Sequence, residues 1–458
     1  MNTTPVEAED RFLNLLASIL NDSGSTCVQP SLRRGVLRMA VSAGLPATPE
    51  ESGKPTYLTL LRQPSFTLFF MAASASTLGS AVVPVALTFA LLQIGYTATA
   101  VGLILAAQTA PTVILLLAGG VIGDRWSRRR IMMGADALRC VCQGGLAALL
   151  ATGHPSLPAL MLLAACLGVG NAFFSPAESG LIPEIAGEKS RIKAANSLLG
   201  ISNSLSAILG PVIGGMLVGL GDAPLAIGMD ALSYALSAAC LAFIHLPQHE
   251  RKLTTSVLTD LKQGWSVFRQ HKWLQLVTAQ YGLLNLVTFA PFFVLGPVIF
   301  SSMPNGARSW GWIASATGAG GVVGGLLILR FRPSRPLVAY EISAALLTAP
   351  LIVLALHASV PVLMASSAVF GLALSILNVT VQTTIQERMP EEVLSRINAL
   401  FSVVATGLGP LGFALAGPVA HLAGPRHALG VGSGITLVSA AALLCLGHIR
   451  HVKAIRAP

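Results

Sequence analysis

The sequence predicts an all-α integral membrane protein of twelve transmembrane helices arranged in two six-helix halves. Three observations predict it. The 458-residue chain is 53% hydrophobic and 10% charged, with a mean hydropathy of +0.71, a balance that belongs in lipid. Its basic residues alternate in sidedness between apolar runs. Its two halves repeat one another at offsets of 199 to 205 residues.

A bilayer-crossing helix needs about 20 mostly apolar residues. Apolar runs bounded by Pro, Gly and charge place spans at 67–92, 98–122, 131–152, 157–182, 195–219 and 224–246. A second set follows at 275–300, 310–330, 337–356, 361–383, 398–423 and 427–448. The domain reading is therefore a cytoplasmic extension at 1–60, a first half at 61–248, a polar central loop at 249–272, a second half at 273–449 and a tail at 450–458.

Short translocated loops exclude Lys and Arg. With the N-terminus in the cytoplasm, 26 of the 29 basic residues fall on that side, only Arg308 and Arg426 face out, and Arg139 lies inside span three. A missed or extra span would scramble this alternation, so the count supports twelve spans in the cytoplasmic membrane with both termini cytoplasmic. The formal charge of +10 is thus a topology signal, and no nucleic-acid partner is expected. The early apolar run at 12–20 follows Glu7, Glu9 and Asp10, which is not the basic start of a secretory signal. It is also too short to span and reads as one amphipathic helix, with Met39 an alternative start. Five of the six cysteines lie in apolar segments and Cys27 in the tail, with no disulfide or metal spacing.

The repeat is visible in matched punctuation. His154-Pro-Ser-Leu-Pro158 after span three matches His357-Ala-Ser-Val-Pro361 after span nine. Ser190-Arg191-Ile192 is echoed by Ser395-Arg396-Ile397, and Gly210-Pro211 by Gly409-Pro410. Equivalent places at near-equal offsets indicate a parallel repeat of two halves.

The loop between spans two and three reads Gly119-Gly-Val-Ile-Gly123-Asp124-Arg125-Trp-Ser-Arg128-Arg129-Arg130. It resembles the G-x-x-x-D-R-x-G-R-R loop of the major facilitator superfamily, with Ser127 where glycine is usual. Gly119 and Gly123 lie four apart and let helices approach closely, and Asp124 suits a neighbouring helix N-terminus. The resemblance implies a cytoplasmic latch in which Arg125, Arg128 and Arg129 meet an acid at the end of span four, here Glu184. Gly210-Pro211-Val-Ile-Gly214-Gly215 looks like the span-five element of drug:proton antiporters, a proline kink among glycines suited to a hinge. Ser175-Pro-Ala-Glu-Ser-Gly-Leu-Ile-Pro183 and Met229-Asp230-Ala-Leu-Ser-Tyr234 resemble the branch of enterobactin exporters and macrolide efflux proteins, which implies efflux. A mid-span-four arginine of other antiporters is replaced by Ala164.

Ionisable groups inside spans are costly and need an account. Asp136 and Arg139, three apart, share one helical face and are expected to pair. Asp136, Asp230 and Glu341 lie on spans that the superfamily layout makes peripheral, and read as structural pairs or snorkelling groups. Glu178 and then Asp230 are the candidates for proton coupling, because a carboxyl buried in one conformation and wetted in the other exchanges a proton. On the cavity-lining spans one, four, seven and ten the candidate wall residues are Ser80, Asn171, Gln280, Tyr281, Asn285, Phe289, Phe292 and Asn378. No mid-span basic cluster invites a polyanion.

The function expected is secondary active export of a small molecule (drug, antibiotic or siderophore-like metabolite) by proton antiport with alternating access. An uptake symporter on the same fold and a transport-dead sensor or scaffold are the alternatives. Nothing resembles H-E-x-x-H or a P-loop, so no catalytic residue, metal, cofactor or nucleotide is expected. The partners are the substrate, protons and membrane lipid, with no obligatory protein partner.

Overall fold

A computed structural model describes residues 56–244 and 257–452 apart from 126, 154 and 332. The side chains of 56, 58, 116–125, 189, 190, 257–263, 391, 392 and 395 lie outside the description. The 12–20 run and Cys27 also lie outside it.

A short helix, Thr56–Leu61, leads into α1 (Pro64–Gln93), α2 (Ala98–Arg125), α3 (Arg128–Ala151), α4 (Leu157–Ala186), α5 (Lys189–Gly219) and α6 (Ala223–Ala242). The second set comprises α7 (Lys272–Ser301), α8 (Gly306–Arg330), α9 (Pro336–Ala355), α10 (Val360–Arg388), α11 (Arg396–Ala423, its first turns beginning at Glu391) and α12 (Pro425–Cys445). Among the described residues, eleven helices are long and apolar enough to cross a membrane. The twelfth crossing is α3, 24 residues long, whose polarity comes from its Arg-rich start and from Asp136 and Arg139. These two are tolerated at depth because each is buried against partners, as described below.

The repeat is a repeat of packing. In the first half α1 packs on α5 and α6, α2 on α4, and α3 on α4 and α6; in the second, α7 packs on α11 and α12, α8 on α10, and α9 on α10 and α12. The halves meet through α5 against α8 and α2 against α11.

Four features depart from regular spans, one of them a break in α11 between Thr406 and Gly409. α7 carries a π-helical turn at Asn285–Phe289, where the Asn285 amide donates to the Tyr281 carbonyl (3.1 Å) and across to Ala405 on α11 (3.2 Å). A polar side chain inserted into the backbone ladder is a recognised cause of such a bend. α9 breaks between Leu346 and Ala349. The connection read as a polar loop contains a helix, Val257–Gln270. Its apolar residues recur every three or four positions, with Phe268 buried and Trp265 stacked on it at 5.6 Å.

The ends of the molecule differ. Arg128–Arg130, Lys193, Arg330 and Arg388 gather where α3 and α5 begin and α8 and α10 end; we call this the basic end. Close backbone approaches between the halves run from the middle of α8, where a Cβ on Gly318 would lie 2.4 Å from the Ala207 carbonyl oxygen, and from Gly102 of α2, where one would lie 2.2 Å from that of Phe413, toward the opposite end. A Cβ on Gly215 would sit 2.6 Å from the Ala307 carbonyl oxygen, and one on Gly311 2.6 Å from that of Pro211. Gly417 of α11 closes on the backbone of Thr99 in the same way. Only glycine permits these contacts.

Candidate functional site

The densest polar chemistry lies inside the first half. Arg139 on α3 is 5% exposed. Its Nη2 donates to Asp136 one turn away, and its Nη1 donates to Asn171 Oδ1 on α4 at 3.3 Å. Its guanidinium carbon lies 3.9 Å from the Phe174 ring centre and 4.3 Å from that of Tyr234 on α6, so two aromatic faces add cation–π attraction. Asp136, fully buried, also accepts from Ser237 Oγ at 2.6 Å. An ion pair without water is tolerable only when most of its remaining lone pairs and protons are satisfied; here hydroxyl, amide and rings meet most of that need, and Arg139 Nε is left buried without a hydrogen-bond partner.

The cluster continues toward α1. Ser80 Oγ lies 2.9 Å from the Tyr234 hydroxyl and donates to Asp230 Oδ1 at 3.4 Å, while Ser233 Oγ donates to the same oxygen at 3.3 Å. Gly79 makes the approach of α1 to α6 possible, since a Cβ there would lie 2.6 Å from Asp230 Oδ1. Glu178, one turn beyond Phe174 on α4, interacts electrostatically with Arg139 and Asp136. Asp230 interacts with Arg139 in the same way. Arg139 thus pairs directly with Asp136 of α3 and lies within electrostatic reach of Glu178 of α4 and Asp230 of α6.

This changes the reading of the peripheral acids. Asp136 is paired, as its spacing suggests. Asp230 belongs to a network that reaches α1, and it does not snorkel. Glu341 does neither of the things expected of it: it is 0% exposed and both carboxylate oxygens lack a hydrogen-bond partner. Its helix enters at the basic end only one turn earlier, yet α10 and α12 pack over it.

Between the halves lies a cleft of about 1210 Å³. α5 contributes Ser197, Asn203 and Ser204, α8 contributes Thr317 and Leu329, and Phe293 and Asn378 come from α7 and α10. Thr88 of α1 and Ser375 of α10 add two hydroxyls, the rest of the lining is apolar, and among the described residues it includes no Asp, Glu, Lys, Arg or His. Because the seams close toward the opposite end while Ser197 and Leu329 sit near the basic end, the cleft opens toward the basic end.

The eight residues expected on the cavity wall divide. Asn378 lines this cleft and accepts from the Tyr281 hydroxyl at 3.0 Å. Ser80 and Asn171 belong to the charged cluster, and Asn285 braces the π turn. Gln280 is 3% exposed with Nε2 unpartnered. Phe289 meets Phe370 edge-on at 5.7 Å. Phe292 is 0% exposed, packed at 5.1 Å from Phe370 and 5.2 Å from Trp310, while its neighbour Phe293 reaches the cleft. Sequence reasoning missed Phe293, Trp310 and the α5 and α8 walls; the Gly-rich face of α8 was the available signal.

At the basic end Arg128 Nη1 lies 3.3 Å from Glu184 Oε1 and donates to the Gly180 carbonyl. Arg129 donates through Nε to Leu241 O at 2.7 Å and through Nη2 to Ala242 O, capping the C-terminal carbonyls of α6 where a cation is favoured. These contacts bind the start of α3 to α4 and α6. Gly119, Gly123, Asp124 and Arg125 fall within α2, but their side chains lie outside the described residues. On α5, Gly210 and Gly214 face Ala81 and Val82 of α1, whereas Gly215 faces α8 and the Pro211 carbonyl faces Gly311. The glycine-proline element therefore packs on both halves at once.

The sequence profile of the Major Facilitator Superfamily matches residues 66–414. The chain belongs to the Major Facilitator Superfamily. Among curated members, the multidrug efflux pump Tap of Mycobacterium tuberculosis is 28% identical over 375 residues, covering 79% of this chain and 88% of that protein. Macrolide efflux protein A of Streptococcus pyogenes is 23% identical over 369 residues, covering 77% and 89%. Among solved structures, nucleoside transporter NupG aligns with a TM-score of 0.67 at 13% identity, over 83% of this chain and 98% of that one. A bacterial homologue of the human lysosomal transporter Spinster aligns with a TM-score of 0.59 at 14% identity, over 85% and 96%. The structural likenesses show the superfamily fold. The protein is a multi-pass membrane protein of that fold.

Proposed function

We propose that this superfamily member is a secondary active exporter that carries an apolar or amphipathic small molecule, of the drug or antibiotic class, out of the cytoplasm in exchange for protons. The cleft carries the reading. About 1210 Å³ of mostly apolar wall with a few amides and hydroxyls suits a ligand held by burial and oriented by a few hydrogen bonds. Without a cation in the wall, a polyanion has no counter-charge, so a siderophore-like cargo fits only in uncharged form.

The direction follows from sidedness. The basic end is cytoplasmic by the distribution of Lys and Arg, which puts both termini there and makes the conformation inward-open. The efflux pumps among the relatives support export. Exchange requires the halves to rock about the α5–α8 and α2–α11 seams, opening the far end as the basic end closes. In that cycle the Arg128–Glu184 pair and the Arg129 cap keep α3, α4 and α6 moving as one body, and the Gly210–Gly215 element lets α5 slide between α1 and α8.

The proton reading rests on the cluster. Three carboxyls around one guanidinium, at membrane depth, carry negative charge that Arg139 cannot neutralise alone, and a bound proton relieves it. Asp230 and Glu178 are the groups not already committed to Arg139 by a direct hydrogen bond. Ser80 lies one position before Ala81 on the cleft wall, which brings the network next to the substrate path.

The test is transport in proteoliposomes of known orientation, with fluorescent cationic dyes and an imposed pH gradient. Gradient-dependent movement away from the basic face is expected. Movement toward it would overturn the exporter reading and leave the fold intact.

A further inference from the structure

Glu341 lies in the second turn of α9 on a face shared with Leu337, Tyr340 and Ala344, all at 0% exposure. Neither carboxylate oxygen has a hydrogen-bond partner, and no cation pairs with it among the described residues. Among the described residues no element around it supplies a paired cation: α7, whose Val277 carbonyl accepts from Tyr340, has its one Lys or Arg at its first residue, Lys272. α10 carries no ionisable side chain over residues 360–386 and reaches Glu387 and Arg388 only at its basic end; α12 carries no Asp, Glu, Lys, Arg or His over residues 428–444, and the short helix after it adds His448 and Arg450. The neighbouring titratable groups are tyrosines. Tyr340 turns its hydroxyl to the Val277 carbonyl at 3.2 Å, and Tyr281 gives its own to Asn378.

A carboxylate at this place would be a bare charge in a dry helix bundle, the most unfavourable condition a side chain meets in a folded protein. Binding a proton removes the charge and leaves a small neutral group among apolar neighbours. No lysine or arginine pairs with it among the described residues, and a bound metal ion would need further oxygen or nitrogen ligands that α9, α10 and α12 do not bring together among the described residues. The proton is the ligand that fits.

We propose that Glu341 is a proton-binding site of the second half, occupied in this inward-open conformation and separate from the three carboxyls around Arg139. The repeat underlines the separation. At the offset that relates His154 to His357, Arg139 corresponds to Ile342 and Asp136 to Ala339, so the second half has lost or never had the guanidinium while holding an acid of its own. The site stands whether or not the first-half cluster carries the transported proton.

The experiment is infrared spectroscopy of the full-length protein in lipid at neutral pH, in H2O and D2O. A protonated-carboxyl C=O band is expected that is lost in Glu341→Gln and kept in Asp230→Asn. An unchanged carboxyl region in Glu341→Gln would overturn the proposal. Thermal melting of Glu341→Gln and of Glu341→Leu gives an independent reading. A neutral, unpartnered acid predicts that both fold and melt no lower than the parent, whereas a hidden ion pair predicts that both melt well below it. Failure of both variants to fold would also overturn the proposal, because an unpartnered neutral acid supplies nothing that glutamine and leucine both lack.

Discussion

On α3 the carboxylate of Asp136 is buried against Arg139 and Ser237, and two aromatic rings cover the guanidinium. On α9, the matching helix of the other half, the carboxyl of Glu341 is buried without a hydrogen-bond partner. The two helices pack on equivalent neighbours, so the pattern of helix contacts is not what separates them. The first half spends its interior between α1, α3, α4 and α6 on a charged network. The second fills the space beside α7, α8 and α10 with Phe289, Phe292, Trp310 and Phe370. Duplication conserves which helices touch, while the chemistry at each contact has diverged. A role inferred for one half does not transfer to the other by symmetry.

The largest expected effect breaks the first-half side of the comparison. Arg139→Met strands Asp136 in a dry interior, and uncompensated buried charge costs about 3–5 kcal/mol. The variant should aggregate or melt far below the parent on size-exclusion and thermal-shift measurement. Adding Asp136→Asn removes the stranded charge and should recover most of the loss. If the single variant were as stable as the parent, the cluster would not hold α3 in place.

The next prediction concerns the seam the halves share. Gly215→Leu forces a side chain where a Cβ alone would stand 2.6 Å from the Ala307 carbonyl. Overpacking of this kind costs about 1–3 kcal/mol. Transport should fall to background and substrate binding from the basic end should weaken, because the variant disfavours closure of the far end that the inward-open conformation requires, while helical content on circular dichroism is kept. Parental transport would mean that close packing at Gly215 is not needed for that closure.

How much of this was legible in the sequence depends on the distance over which each contact forms. Asp136 and Arg139 pair because they lie one helical turn apart, and that spacing was readable. The bridge from Ser80 to Asp230 and Tyr234 joins residues about 150 positions apart, and no local pattern announces it. The small residue beside it, Gly79, is what allows α1 to come close. Span positions were readable because hydropathy is local, and the apolar run at 131–152 placed α3 in the same way, although its own polarity keeps it outside the eleven apolar helices. The π turn at Asn285 was hidden because it depends on a carbonyl of α11 as well as on its own helix. The helix at Val257–Gln270 was within reach: its apolar spacing is helical, but its charges drew attention to a loop.

Asp230→Asn sharpens the comparison at smaller cost. The amide keeps an oxygen to accept from Ser80 and Ser233, so stability should change by no more than one hydrogen bond, about 0.5–1.5 kcal/mol. Pumping driven by an imposed pH gradient should be lost, while downhill exchange of substrate between the two faces continues. Gradient-driven pumping at the parental rate would remove Asp230 from the proton path and leave Glu178 as the candidate.

Arg128→Gln should have the smallest effect on stability and a selective one on movement. The Arg128–Glu184 pair is partly exposed, with side chains 25% and 34% accessible, and solvent screening limits such pairs to about 0–1 kcal/mol. The melting temperature should therefore shift by little, in contrast to Arg139→Met on the same helix. Both arginines stand on α3, and what differs is the medium around them: water at the basic end weakens one pair, and its absence at depth makes the other indispensable. If Arg128 binds α3 to α4 so that the first half moves as one body, substrate affinity measured from the basic face should be preserved while turnover falls. A melting shift as large as that of Arg139→Met would place Arg128 in the load path of the fold, and the distinction between the wet and dry ends of α3 would collapse.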